Sequence, residues 1–362
     1  MTRQPRLLLV KLGAIGDVVM AIPAAAAMHR AGYQVHWLAS ETVAPILRLY
    51  PWIHVIPTDE TKLLRSPLSQ RIPAILHLWQ TLRHASSSYQ TIATLYYDTR
   101  YRYLTLPLRA PRKILLSRSD RATQLLPGRH HTDEYARILT DAADGETPTQ
   151  LAPIPPENLP APPVPRTAKT RIVLVPVGAR NLLRDDALRR WPVENYVAVA
   201  SALLAAGHEV ILSGGPDDAW ASPSFAALPV TDLIAKLSLL ETLALLESAA
   251  LTITHDTGPL HLAGLTSTSI LAIFGPTDPR GRLPQRCNSL ALWGGEGFAC
   301  RPCYDGRDYA PCHNNGCMQQ ITPAMVLTEA ATLLTAKREN RVLPPRVRTP
   351  KHTPVTTFTQ IL

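Results

Sequence analysis

Residues 251–274 read LTITHDTGPLHLAGLTSTSILAIF. Two short apolar runs, 251–256 and 269–275, flank a stretch with helical character over 258–265. Pro259 falls in the first turn of that helix, where its missing N–H costs nothing, with Asp256 or Thr257 as the cap. Strands that are apolar on both faces and joined through helices belong to a parallel sheet covered on both sides.

The same rhythm runs in both directions. RIVLVPVGA (171–179) precedes a helix over 193–206, HEVILSGG (208–215) follows, and a helix over 240–249 leads back into residue 251. On this reading 269–275 is the last strand of the half. Nearer the N-terminus, RLLLVKL (6–12) is followed by a helix from Asp17 to Arg30, YQVHWLAS (33–40) and a helix over 42–49. IHVIPT (53–58), a long helix over 67–84 and TIATLYY (91–97) complete that series. Between the series, Pro148, Pro153, Pro155, Pro156, Pro160, Pro162, Pro163 and Pro165 exclude a central strand or helix interior and predict an extended linker. The expected organisation is an N-terminal Rossmann-like domain (1–147), a Pro-rich linker (148–170), a C-terminal Rossmann-like domain (171–336) and a basic tail (337–362). Together these make an α/β chain of two doubly wound domains facing a cleft.

With 362 residues the chain is too long for one ordinary core. Its 46% hydrophobic content excludes disorder throughout. No apolar run approaches the roughly 20 residues that span a bilayer. The N-terminal apolar run is broken by Lys11 and Asp17, so a cytoplasmic location is expected. The formal net charge is +9, and the tail holds Lys337, Arg338, Arg341, Arg346, Arg348 and Lys351 against Glu339 alone. Such a balance suits an anionic partner: nucleic acid, an anionic membrane surface or a phosphorylated substrate. A merely solubilising tail explains that segment equally well.

In doubly wound folds ligands bind at the carboxyl ends of the strands. There, Gly13-Ala14-Ile15-Gly16-Asp17 follows the first strand. Glycines such as Gly16 let the backbone approach a ligand, and Asp17 is either a functional carboxylate or a helix cap. The sequence has neither GxGxxG nor a P-loop, which removes the usual nicotinamide and NTPase readings. Thr254–His261 offers exposed N–H groups at a helix start, an anion site. Phe274–Pro279 reads as an ordinary turn. Gly178 ends a strand, Arg189 and Arg190 suit a phosphate or solvent, and Asp217 and Asp218 stand where a ribose diol is often held. Cys300, Cys303, Cys312 and Cys317 read C-x2-C-x8-C-x4-C, a candidate metal knuckle or four unconnected thiols.

LLLVKLGAIGDVVMAIPAAAAM and LSLLETLALLESAALTITHDTGPLHLAGLTSTSILAIFGPTDP resemble the two signatures of glycosyltransferase family 9, the lipopolysaccharide heptosyltransferases. RRWPVENYVAVASALLAAGHEVILSGGPDD and CRPCYDGRDYAPCHNNGCMQQITPAMV are similar to it as well. The resemblance implies a GT-B fold, with the acceptor on the N-terminal domain and ADP-L-glycero-D-manno-heptose on the other. It further implies inverting transfer to the lipopolysaccharide inner core, with no cofactor, divalent metal or nucleic acid, at the cytoplasmic side of the inner membrane. Asp17 is then the general base. Gly16 and Gly178 flank the donor, and Thr257 and Gly258 meet the diphosphate. Asp256 contacts sugar hydroxyls and His261 supports that turn. Arg189 stands where the family has a lysine, and Asp217 or Asp218 holds the ribose. The absence of a DxD motif fits arginine and helix N-termini as the charge carriers. The extended 180–188 loop and the tail depart from the family. A subset of such enzymes glycosylates proteins and binds iron through four cysteines, so that alternative stands. So do a non-catalytic nucleotide-sugar-binding protein and an epimerase on the same fold.

Overall fold

The computed structural model describes residues 4–86, 88–141, 153–180, 184–306 and 308–350. The first half comprises β1 (Arg6–Val10), α1 (Ile15–Arg30), β2 (Gln34–Ser40), α2 (Ala44–Leu47), β3 (Ile53–Thr58) and α3 (Glu60–Leu64). It continues through α4 (Leu68–Ala85), β4 (Thr91–Thr94), β5 (Arg112–Leu115) and α5 (His131–Thr140). The second half comprises β6 (Arg171–Val175), α6 (Val193–Ala205), β7 (Glu209–Gly214), β8 (Thr231–Ile234), α7 (Leu239–Ser248) and β9 (Leu251–His255). It ends with α8 (Gly258–Gly264), β10 (Ser269–Phe274), β11 (Ser289–Trp293), α9 (Gly316–Gln319), α10 (Pro323–Arg338) and β12 (Arg346–Arg348).

The strands form two wholly parallel sheets, ordered β3-β2-β1-β4-β5 and β12-β11-β10-β9-β6-β7-β8. Leu7, Leu8, Leu9 and Val10 are fully buried because helices cover both faces of β1. Burying such a side chain is worth about 1.5–3 kcal/mol, so the central strands anchor each layer. The order reverses between β1 and β4 in one sheet, and between β9 and β6 in the other. Those reversals open the crevices in which doubly wound folds hold ligands. The turns after β1, β6 and β9 carry Gly13–Asp17, Gly178 and Asp256–Gly258, so all three candidate turns lie at the reversals.

Three expectations change. The strand at 269–275 is not the last: β11 and β12 extend the sheet beyond it. The basic segment after 336 is not all tail. α10 runs to Arg338, and Arg346 and Arg348 lie on β12 with Glu329 as their ion-pair partner. The helix expected over 42–49 shortens to Ala44–Leu47. Within the Pro-rich segment Ile154 is buried and its N–H donates to the Leu265 carbonyl, so the connection lies against the C-terminal half. Pro148, residues 181–183 and residues 351–362 lie outside the described residues.

Candidate active site

α1 and α8 meet across the two halves, and glycine sets how closely. A Cβ on Gly16 would stand 2.5 Å from His261 Cδ2, and one on Gly258 would stand 3.3 Å from Ile15 Cβ. The first turns of the two helices therefore touch, and the crevices of both sheets open toward one place.

Asp17 is the third residue of α1. The cap position is Ala14, with no side-chain cap bond, so the capping reading of Asp17 fails. Its carboxylate instead meets Lys11 Nζ at 2.9 Å and keeps 31% exposure. Lys11 is buried, donates to the Leu95 carbonyl at 3.1 Å and lies 4.1 Å above the Tyr96 ring. Tyr96 Oη accepts from the N–H groups of Leu12 and Gly13 and donates to the Gly13 carbonyl, clasping the glycine turn. Burial raises the Asp17 pKa, but Lys11, His131 and Arg282 outweigh it and hold the carboxyl well below the usual carboxylate range.

On the other side Asp256 is buried. It accepts a hydrogen bond from the Thr277 hydroxyl at 2.7 Å and faces Arg189 at 3.4 Å and Arg282 at 3.8 Å. Burial pushes its pKa up, yet the two guanidiniums bring it to about 2. Arg189 also lies 3.5 Å from Asp186 and donates to Tyr309 Oη at 2.6 Å, with the Tyr304 ring 5.0 Å away. Arg282 lies 5.6 Å from the same ring. Arg190 is spent elsewhere, on Asp185 and the Gly178 carbonyl.

Gly178 has φ +94°, and a Cβ there would collide with Thr257 Oγ1 at 2.4 Å, so only glycine fits. Thr257 is the N-cap of α8, but its hydroxyl accepts from Ala179 N–H instead of capping the helix. α8 has only seven residues, so its dipole is small beside two guanidiniums. His261 is buried, and burial lowers its pKa to about 4. Asp218 is buried and fully occupied by the N–H groups of Gly178 and Gly215, whereas Asp217 is exposed. Of that pair only Asp217 is free to meet a diol.

The structure thus brings together Asp17, Gly16, Gly178, Arg189, Asp256, Thr257, Gly258 and His261, and sets Asp218 aside as a turn brace. It adds Lys11, Arg282, Thr277, Tyr304 and Tyr309. Lys11 carried a signal: a charge closing an otherwise apolar strand. Arg282 and the two tyrosines carried none, because only the fold returns their loops to β9. Phe274–Pro279 is more than a turn, since Thr277 fixes Asp256. Cys300, Cys303, Cys312 and Cys317 share one neighbourhood. Burial, with the nearby thiols adding, raises Cys317 to about 11. Among the described residues, no group of three or more His, Cys, Asp or Glu is arranged to hold a metal ion.

An ionised carboxylate on one half opposite two guanidiniums on the other is an arrangement for deprotonating one reactant while an anion departs from a second. The family model described as glycosyltransferase family 9 (heptosyltransferase) matches residues 129–313, just over half the chain. Over 124 residues the chain is 36% identical to lipopolysaccharide heptosyltransferase 3 of Escherichia coli. That match spans 33% of this chain and about a third, 36%, of the relative. It is 24% identical to lipopolysaccharide heptosyltransferase 1 of Pseudomonas aeruginosa, across 91% of this chain and 98% of that one. The structure of the E. coli ADP-heptose lipopolysaccharide heptosyltransferase II superposes with a TM-score of 0.65 at 17% identity, covering 92% of this chain and 99% of that one. The fold is therefore GT-B, and the chain belongs to glycosyltransferase family 9, the heptosyltransferases.

Proposed function

We propose that the protein transfers heptose, with inversion and without a divalent metal, from ADP-L-glycero-D-manno-heptose to a sugar hydroxyl of the lipopolysaccharide inner core. The N-terminal half takes the acceptor and the C-terminal half the donor. The observation that carries this reading is the opposition of Asp17 to the Arg189–Arg282 pair across the α1–α8 contact.

The acceptor oxygen attacks the anomeric carbon and its proton passes to the Asp17 carboxylate. The bond from that carbon to the β-phosphate oxygen breaks, and ADP leaves with the electron pair. Arg189 and Arg282 neutralise the departing diphosphate, so the charge that a chelated metal supplies elsewhere comes from guanidiniums. Asp256 positions both arginines. Thr257 and Gly178 fix the turn against the phosphates, and Asp217 meets the ribose. The enzyme works at the cytoplasmic face of the inner membrane, where a lipid-linked acceptor is presented.

The test is transfer itself. Purified protein with ADP-heptose and heptose-deficient core should form a new glycosidic bond of opposite anomeric configuration, read by mass spectrometry and NMR, with EDTA present. ADP should raise the melting temperature more than UDP or GDP does, since a ligand that binds only the native state stabilises it by mass action. Donor breakdown without acceptor would favour an epimerase or hydrolase. ADP binding with no turnover would favour a non-catalytic binding protein.

A further inference from the structure

α4 buries only Leu78 and Leu82 against its domain. About a quarter-turn round from that face it carries Leu68, Ile72 and Leu76, spaced i, i+4, i+8 on one stripe and between 49% and 66% exposed. The stripe continues sideways. Trp79 donates its indole N–H to the Tyr103 carbonyl at 3.0 Å, bringing Tyr103 and Leu106, each 60% exposed, beside it. Soluble proteins seldom expose so many large apolar side chains in one place without a partner.

The surroundings of this patch are basic. Residues 61–110 contain seven Lys and Arg against Asp98 alone, +6 of the whole chain's +9. Arg100 is neutralised by Asp98. Arg65, Arg102 and Arg109 are exposed and, among the described residues, form no ion pair. An apolar stripe with tyrosine and tryptophan at its margin and unpaired arginines around it matches the layered chemistry of an anionic bilayer surface: acyl chains, interface, then negative headgroups.

We propose that the exposed stripe of α4, with Tyr103 and Leu106, is the surface that seats this protein on an anionic phospholipid bilayer. Its position suits that role. Tyr101, two residues before Tyr103, stacks on Tyr96 at 3.5 Å and donates to Glu60, and Tyr96 clasps the Gly13 turn that leads to Asp17. The docked face therefore borders the acceptor side of the cleft. The purpose assigned to it rests on the lipid-linked acceptor proposed above; the binding itself does not.

The experiment is co-sedimentation of the full chain, without donor or acceptor, with phosphatidylcholine vesicles and with mixed phosphatidylcholine–phosphatidylglycerol vesicles. The protein should bind the mixed vesicles and not the neutral ones, and high salt should release it. The L68S/I72S/L76S variant and the R65E/R102E/R109E variant should each lose at least about tenfold in partitioning with unchanged melting temperature. Equal binding to neutral vesicles, or retention by the L68S/I72S/L76S variant, would overturn the assignment. So would a concentration-dependent dimer, with no vesicle binding, that this variant abolishes: the face would then belong to a second copy. Transfer to a water-soluble, delipidated core, measured in parallel, separates the outcomes. Vesicle binding without transfer condemns the proposed activity alone, and transfer without vesicle binding condemns this surface alone.

Discussion

Lys11 Nζ lies 2.9 Å from Asp17 Oδ2, so the carboxylate assigned as base is held by a buried ammonium. The pairing keeps Asp17 ionised and aimed, at the cost of basicity. A weak base suits a reaction in which the acceptor hydroxyl becomes acidic only as its bond to the anomeric carbon forms.

Lys11→Met removes the group that most strongly opposes burial at Asp17, so the Asp17 pKa must rise. The ionised fraction then falls at mildly acidic pH, and the acid limb of the kcat profile should move to higher pH. An unmoved limb, in a variant whose melting curve at pH 7.5 shows it folded, would mean that Asp17 ionisation does not govern the rate.

Arg189→Ala and Arg282→Ala should each weaken ADP binding by roughly ten- to a hundredfold, the scale of a lost hydrogen bond to a charged group. Arg190→Ala should cost less, because that guanidinium is spent on Asp185 and the Gly178 carbonyl. Calorimetric titration with ADP distinguishes them. A larger loss at Arg190 would move the phosphate site.

Gly16→Ala places a methyl group into the His261 ring and must separate α1 from α8. Overpacking of this kind costs on the order of 1–3 kcal/mol. The melting temperature and the transfer rate should both fall. The double variant Gly16→Ala, His261→Ala should recover stability over Gly16→Ala alone. Failure of that recovery would place the strain elsewhere.

The alternation of apolar runs and helices made both sheets legible, because strands buried on two faces need no partner information to be recognised. Asp17, Gly178 and Asp256 were legible because strand-to-helix turns position them locally. Three of the four edge strands were not: β5, β8 and β12 are three or four residues long and too short for periodicity to register, whereas the six-residue edge strand β3 was. Arg282, Tyr304 and Tyr309 belong to the site only through tertiary return of their loops. The exposed face of α4 went unread because its i, i+4 apolar spacing looks the same whether it meets core or solvent.

Buried neutral histidines should make the fold acid-sensitive. Burial lowers His36 and His261 to about 4 and His131 and His255 to about 3, all below the unfolded value of 6.5. Between those values the unfolded chain binds more protons, so stability is full above about pH 6.5 and declines as pH falls toward 4. Each such group removes on the order of 1–2 kcal/mol by pH 5. The melting temperature should be flat above pH 7 and drop steeply below 6. A flat profile down to pH 5 would show these rings to be protonated or solvated in the folded protein.

The central claim is that Asp17 takes the acceptor proton, and Asp17→Asn tests it most directly. The substitution keeps size, and α1 loses no cap, since Asp17 is not one. Asp17→Asn should lower the melting temperature, because buried Lys11 keeps its charge without the carboxylate, yet leave a folded protein with near-native ADP affinity and transfer reduced by about 10²–10⁴-fold, the contribution of a positioned base. A folded, donor-binding Asp17→Asn protein that retains more than about a tenth of the native rate would contradict it.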